Sequence, residues 1–183
     1  MSILILHHSH TGNNRYLAGM LADRLDADVR ALDPWPSHPG PLFLASWLRL
    51  PVRIALRDDD LRGVDEVVVC GPVWGGLLIA PCRAAIRRAA QAGCTVHFIT
   101  CCGTSDAQKD DRYGYAGTLR MARAAGGDRF GHADAVSLAL TTDGAATEDR
   151  QTIRLDEENV QGRFSERVDA FAARIRRPAS AHS

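Results

Sequence analysis

A short, almost unbroken apolar run, Ser2-Ile3-Leu4-Ile5-Leu6, gives way to a polar loop and then to apolar residues at helical spacing. An apolar run without polar alternation is the pattern of a strand covered on both faces, as in a parallel sheet. The series Tyr16, Leu17, Met20, Leu21, Arg24 and Leu25 then reads as a helix, with Asn13 or Asn14 placed to cap it. A strand, a loop and a helix in that order need further copies of themselves to build a sheet.

The copies follow. Residues 28–32 form a weaker second strand, Val67-Val68-Val69-Cys70 a strong third, and residues 95–100 a fourth. A helix is expected over 80–92, with Pro81 in its first turn and Gly93 at its end. Another is expected over 113–125, ended by Gly126-Gly127, then a fifth strand over 133–140. Residues 158–176 close the series as a helix with Val160, Phe164, Val168, Phe171 and Ile175 on one face. Strand and helix alternate five times, which implies an α/β doubly wound parallel sheet with right-handed crossovers.

Two stretches interrupt the alternation. Residues 34–57 begin with Pro34, Pro36, Pro39 and Pro41 and continue through Leu42, Phe43, Leu44, Trp47, Leu48 and Leu50. They are read as an irregular loop plus a helix covering one sheet face, with a substrate or dimer surface as the alternative. Residues 141–157 are polar and are read as a hairpin inserted at the fifth strand, with Thr152-Ile153-Arg154-Leu155 as its alternation.

A chain of 183 residues, 45% of them hydrophobic, fits one well-filled core, so residues 1–176 are read as a single domain and 177–183 as a disordered tail. Lys plus Arg and Asp plus Glu number 22 each, so no global field favours nucleic acid or an anionic membrane. Partner choice must come from local patches. The apolar opening is too short for a signal peptide, and no apolar run approaches the roughly 20 residues of a membrane span. Five cysteines in apolar surroundings suit reduced thiols, and a cytoplasmic location is the expectation.

Chemistry concentrates in Ser9-His10-Thr11-Gly12-Asn13-Asn14, the loop after the first strand. It offers hydroxyls, a glycine that lets the backbone come close, and side-chain amides, all just before a helix start. Unpaired N–H groups and a partial positive charge at that start can hold a phosphate without lysine or arginine. The loop lacks the Gly-Lys-Ser/Thr ending of a Walker loop and the spacing of a dinucleotide turn. An ordinary strand-to-helix turn uses the same residue types, so the loop alone leaves both readings open. A metal site on His7, His8 and His10 is set aside, because neighbouring loop residues point in different directions and no Cys or carboxylate lies nearby in sequence.

This loop resembles the flavodoxin pattern in which an aromatic, a serine, any residue and then Thr-Gly-Asn-Thr follow the first strand. Gly71-Pro72-Val73-Trp74-Gly75-Gly76, followed by Pro81 and a helix, resembles the second flavin loop of that family. The resemblance spans nearly the whole chain, with two departures: His8 for the usual aromatic or hydrophobic residue and Asn14 for the closing threonine. It implies a flavodoxin-like sheet of order 2-1-3-4-5 with helices on both faces, and FMN at the switch point between the first and third strands. It further implies that Ser9, His10, Thr11, Gly12, Asn13 and Asn14 hold the phosphate, while Pro72, Val73, Trp74, Gly75 and Gly76 lie along the isoalloxazine ring. Trp74 supplies a flat apolar surface, and core packing is the alternative for it. Cys102, Gly103, Thr104 and Ser105 after the fourth strand are expected on the other side of the flavin, with Cys101 and Cys102 as inert thiols rather than a strained vicinal disulfide.

FMN binding leaves the reaction open. An oxidoreductase taking electrons from NAD(P)H to a quinone-like or other small acceptor is favoured over a one-electron carrier between a reductase and a protein acceptor, because carriers of this kind are strongly acidic and this chain is neutral overall. Asp58-Asp59-Asp60 offers a local acidic patch to a carrier, though such a run also suits a solvated helix start. An FMN-less binding module is the third reading, and a homodimer is left open. No catalytic acid or base is assigned.

Overall fold

The computed structural model describes residues 1–146 and 149–176. In chain order the elements are β1 (Ile3–His7), α1 (Asn13–Leu25), β2 (Asp28–Ala31), α2 (Pro39–Trp47), β3 (Glu66–Cys70), β4 (Val73–Trp74), β5 (Leu77–Leu78), α3 (Ala80–Gln91), β6 (Thr95–Cys102), α4 (Ala116–Gly126), β7 (Phe130–Ser137), α5 (Thr142–Ala146) and α6 (Arg163–Arg176). Five strands pair in parallel in the order β2-β1-β3-β6-β7, the expected 2-1-3-4-5 arrangement. The apolar opening run lies inside the sheet, with His7 opposite Ala31 on one side and Cys70 on the other.

Alternate residues of these strands feed two cores, because successive side chains point to opposite faces. Ile3, Ile5, Val68, Ile99 and Cys101 pack with Leu17 and Leu21 of α1 and Phe164 and Phe171 of α6. Leu4, Leu6, Val67, Val69 and Phe98 pack with Ile86 of α3 and Ala122 of α4. Both faces are thus covered, which explains why the strands read as continuous apolar runs. Strand order reverses between β1 and β3, opening a crevice at their carboxyl ends.

Several boundaries differ from the sequence reading. β6 runs on to Cys102. β7 begins at Phe130, which pairs with Val96, and ends at Ser137, whose hydroxyl accepts from Ala139 N–H at 3.1 Å and turns the chain into a 3-10 segment, Leu138–Leu140. α4 starts at Ala116 rather than 113. α6 starts at Arg163, after Gly162 at φ 63°, where the left-handed backbone interrupts a helix expected from 158.

The expected hairpin over 141–157 is overturned. Among its described residues the segment holds α5, a 3-10 turn Arg150–Thr152 and an extended stretch, and no strand forms. The alternation in Thr152-Ile153-Arg154-Leu155 is real, with Ile153 and Leu155 buried, but its partner is a side chain: Leu155 N–H donates to Asn13 Oδ1 at 3.1 Å, and Asn13 Nδ2 donates to the Ile153 carbonyl at 2.9 Å. One carboxamide takes the place of a neighbouring strand.

The 34–57 insertion does hold a helix, but α2 packs on α3 and β5 rather than on a sheet face. Its neck is closed by Trp35 N–H to the Arg53 carbonyl and Ala55 N–H to the Leu32 carbonyl. Leu42, Ala45 and Ser46 face inward. Ser46 Oγ donates to the Leu42 carbonyl at 2.6 Å and accepts from Ala80 N–H at 2.8 Å, so a residue of α2 caps the start of α3. Among the described residues no helix is long and apolar enough to cross a membrane. The expected tail, 177–183, lies outside the described residues.

Candidate functional site

Three loops leave the carboxyl ends of β1, β3 and β6 and enclose one cavity of about 840 Å³. That volume falls in the range of small-molecule and cofactor sites, about 300–1,000 Å³. From the first loop His10, Thr11, Asn13 and Asn14 line it; from the second, Pro72, Val73, Trp74 and Gly75; from the third, Cys102, Gly103 and Thr104.

The first loop ends in an uncapped helix. Gly12, not Asn13 or Asn14, holds the N-cap position, at φ 94°, a left-handed conformation that favours glycine. No side chain caps α1 from that position, and the first helical bond is Tyr16 N–H to the Gly12 carbonyl at 2.9 Å. The N–H groups of Asn13, Asn14 and Arg15 therefore lie in the turn that has no intrahelical acceptors, where an anion is favoured. Ser9 Oγ is buried without a hydrogen-bond partner beneath this loop, and Thr11 is exposed at its rim.

The two asparagines are buried, and their carboxamides are engaged by main chain. Asn14 Oδ1 accepts from Cys101 N–H at 2.8 Å and Asn14 Nδ2 donates to the Cys101 carbonyl at 3.3 Å. β3 has already ended opposite Ile99, so Asn14 supplies the partner that β6 lacks there. With Asn13 holding Ile153 and Leu155, the loop is pinned on two sides. These side chains act as braces for the loop.

The second loop is a two-residue β-hairpin: Val73 and Trp74 pair with Leu78 and Leu77, and Gly75 and Gly76 turn between them at φ 59° and 76°. Two positive φ values are what such a turn needs, giving both glycines a structural reason. A Cβ on Gly76 would lie 2.8 Å from the Arg112 carbonyl oxygen, so this turn also sits tightly on the 112–114 loop. Trp74 is half-buried against the core of Leu4, Leu6 and Phe98 while lining the cavity, and the rings of His8 and His10 meet it edge-on, each with centroids 6.2 Å away. Burial and the neighbouring His10 and His7 lower the pKa of His8, and burial together with Arg15 lowers that of His7.

In the third loop Ser105 turns away. Its hydroxyl bonds Gln108 Oε1 at 2.9 Å and closes the 106–108 turn, so it does not line the cavity. Ser9, Gly12 and Gly76 also stand outside the lining. Cys101 and Cys102 are free thiols; burial drives Cys101 far up and holds Cys102 at about 12, so both stay protonated and unreactive.

Sequence reasoning missed several wall residues, among them Gln108, Asp111, Tyr113, Gly114, Leu138, Arg150 and Gln151. The first four lie between β6 and α4, and the last two on the segment pinned by Asn13. Only Tyr113, an exposed aromatic beside Gly114, carried a local signal. Arg150 brings a guanidinium to the wall, and its Nε donates to the Gly144 carbonyl at 3.3 Å. No group of His, Cys, Asp or Glu able to hold a metal occurs among the described residues.

No family model matches the chain, and no curated protein matches it in sequence. Solved structures match its architecture. A flavoprotein from Lactobacillus acidophilus NCFM, crystallised in complex with FMN, superposes with a TM-score of 0.57 at 12% identity over 73% of this chain and 91% of that one. A flavodoxin from Streptococcus pneumonia TIGR4 gives 0.51 at 14% identity over 96% and 97%. A flavodoxin, WrbA-like protein from Agrobacterium tumefaciens gives 0.50 at 14% over 95% and 94%. The fold is flavodoxin-like, with three strand-end loops gathered on one cavity.

Proposed function

We propose that this protein binds FMN non-covalently in the cavity and acts as an oxidoreductase moving electrons from NAD(P)H to a quinone-like or other small acceptor. The observation that carries the reading is the convergence of the loops after β1, β3 and β6 on one cavity beside the switch point. The residues fit the group. The uncapped start of α1 behind the αL Gly12 and the Thr11 hydroxyl at the cavity rim suit a terminal phosphate, and the half-buried Trp74 with the Val73–Trp74 hairpin offers a flat apolar wall for a ring. FMN, when bound, supplies one- and two-electron chemistry. The chain's part is to hold the phosphate at α1, orient the ring against Trp74, and favour negative charge with Arg150.

The carrier reading loses its acidic patch. Asp58, Asp59 and Asp60 each pair with an arginine: Arg88 at 2.9 Å, Arg62 at 2.8 Å and Arg30 at 2.5 Å. Little unpaired negative charge is left there to steer a basic partner.

Purification and titration with FMN test the cofactor: a yellow protein, or stoichiometric uptake with quenched flavin fluorescence, is expected, and a colourless protein that refuses FMN overturns the reading. Stopped-flow mixing of the FMN-loaded protein with NADH and NADPH tests the reaction. Rapid bleaching followed by quinone-dependent reoxidation is expected; no direct reduction by either nucleotide leaves a carrier.

A further inference from the structure

The outer face of α2 is apolar and has no partner in the fold. Phe43, Leu44, Trp47 and Leu48 form a stripe at helical spacing opposite the buried Leu42, Ala45 and Ser46, and Leu50 and Trp35 extend it. Trp35 is 71% exposed, Trp47 64%, and the other four close to half. Together they open on the order of 700 Å² of apolar surface, beyond the roughly 300–600 Å² of the largest patch on an ordinary monomer.

The rim of this patch is basic. Arg49 lies between Leu48 and Leu50, and Arg53 is bridged to Trp35 by a main-chain bond of 2.9 Å. Arg83 of α3 reaches under the end of α2 and donates to the Leu50 carbonyl at 2.9 Å, and Arg87 follows one turn later. Arg83's pKa is lowered by burial and by the charges of Arg87 and Arg49, so these three guanidinium groups crowd one region. Among the described residues none of the four arginines forms an ion pair with a carboxylate. The chain is neutral overall, so this is a local excess.

We propose that this face docks on an anionic lipid bilayer surface, with Trp35, Trp47 and the leucines entering the interface and the exposed Arg49 and Arg53 meeting the headgroups. Tryptophan and leucine beside a basic rim are the chemistry of interfacial binding. Each arginine near an anionic leaflet adds an attraction that salt screens. Charge disfavours a second copy as occupant: a two-fold interface lays the patch on itself, setting arginine rim against arginine rim. Position gives the docking a use, in a clause that rests on the FMN reading. The Phe43 ring lies 3.7 Å from where a Cβ of Gly75 would stand, and Gly75 lines the cavity, so a bilayer-dissolved acceptor would reach the flavin along the edge of the patch.

The test is sedimentation of the full chain, with and without FMN, with vesicles of phosphatidylcholine alone and of phosphatidylcholine mixed with phosphatidylglycerol. Salt-sensitive binding to the mixed vesicles alone is expected. Arg49→Gln with Arg53→Gln is expected to weaken it roughly 30-fold, the equivalent of two arginines at about 1 kcal/mol each. Brominated acyl chains should quench tryptophan emission, and Trp35→Phe with Trp47→Phe should abolish that quenching while leaving Trp74 as a monitor of the fold. Binding to neither vesicle, equal binding to both, or a dimer that Trp47→Ser dissolves overturns the proposal. Vesicle binding needs no flavin, so a chain that sediments with anionic vesicles yet refuses FMN removes the cofactor reading and leaves the docking face standing.

Discussion

Truncating Asn14 to alanine removes a carboxamide that both accepts from and donates to the main chain of Cys101, at 2.8 and 3.3 Å. Cys101 is 5% exposed and has no strand on that side, because β3 has ended at Cys70 opposite Ile99. Each buried main-chain group left without a partner costs about 1–3 kcal/mol. One of the two bonds is long, so we expect Asn14→Ala to lower the stability of the flavin-free protein by about 2–4 kcal/mol. For a chain of this size that is a fall in Tm of roughly 4–16 °C. Urea denaturation without flavin, followed by tryptophan emission, measures it, with the midpoint moving and the slope unchanged. FMN affinity should fall as well, because the loop loses its anchor to β6, and riboflavin affinity should fall in parallel. A variant that keeps its flavin-free stability and loses only FMN affinity refutes the brace: the carboxamide would then be a phosphate ligand.

Thr11→Ala removes an exposed hydroxyl at the cavity rim and is expected to weaken FMN roughly 10-fold, with riboflavin unchanged, by fluorescence titration; equal losses for both flavins count against the phosphate assignment. Gly71→Ala places a Cβ 2.1 Å from Cys82 Sγ and is expected to cost about 2–3 kcal/mol, falling below about 1 kcal/mol in a Cys82→Ala background, where the obstructing sulfur is gone. If the double-mutant cycle shows no coupling, that contact is not what the glycine avoids. His7 and His8 are held below the ordinary 6.5, so the stability they confer by staying neutral is complete above that pH and is lost as pH falls through their folded values. Denaturation midpoints should drop as the pH falls below about 6.5, and His8→Asn should flatten that drop; an unchanged slope refutes the assignment.

The sheet was legible because its strands are buried on both faces, and continuous apolar runs such as Ile3 to Leu6 and Val67 to Val69 leave little choice of element. Two of the three cavity loops drew notice through their resemblance to flavin loops, since residue type alone left the first one open to an ordinary strand-to-helix turn. The third was placed by position alone, and Ser105 shows the limit of that: its hydroxyl serves the local 106–108 turn. Arg150 and Gln151 reach the cavity from a segment whose path depends on Asn13 more than 130 residues away, a contact that no local pattern encodes. The same holds for α2, whose apolar composition suggested a cover for the sheet. Composition cannot distinguish a helix buried on both sides from one with a buried face and an open one.

Ser46 makes two otherwise similar helix starts unlike. Two helices follow the loops after β1 and β3, α1 directly and α3 after the β4–β5 hairpin, and both present a positive end. The Ala80 N–H at the start of α3 is already bonded to Ser46 Oγ, while α1 begins with the bare backbone of Gly12. Of the two, only α1 reaches the cavity wall, through Asn13 and Asn14. One helix start is closed by a hydroxyl of the insertion, and the other is left open where the cavity lies.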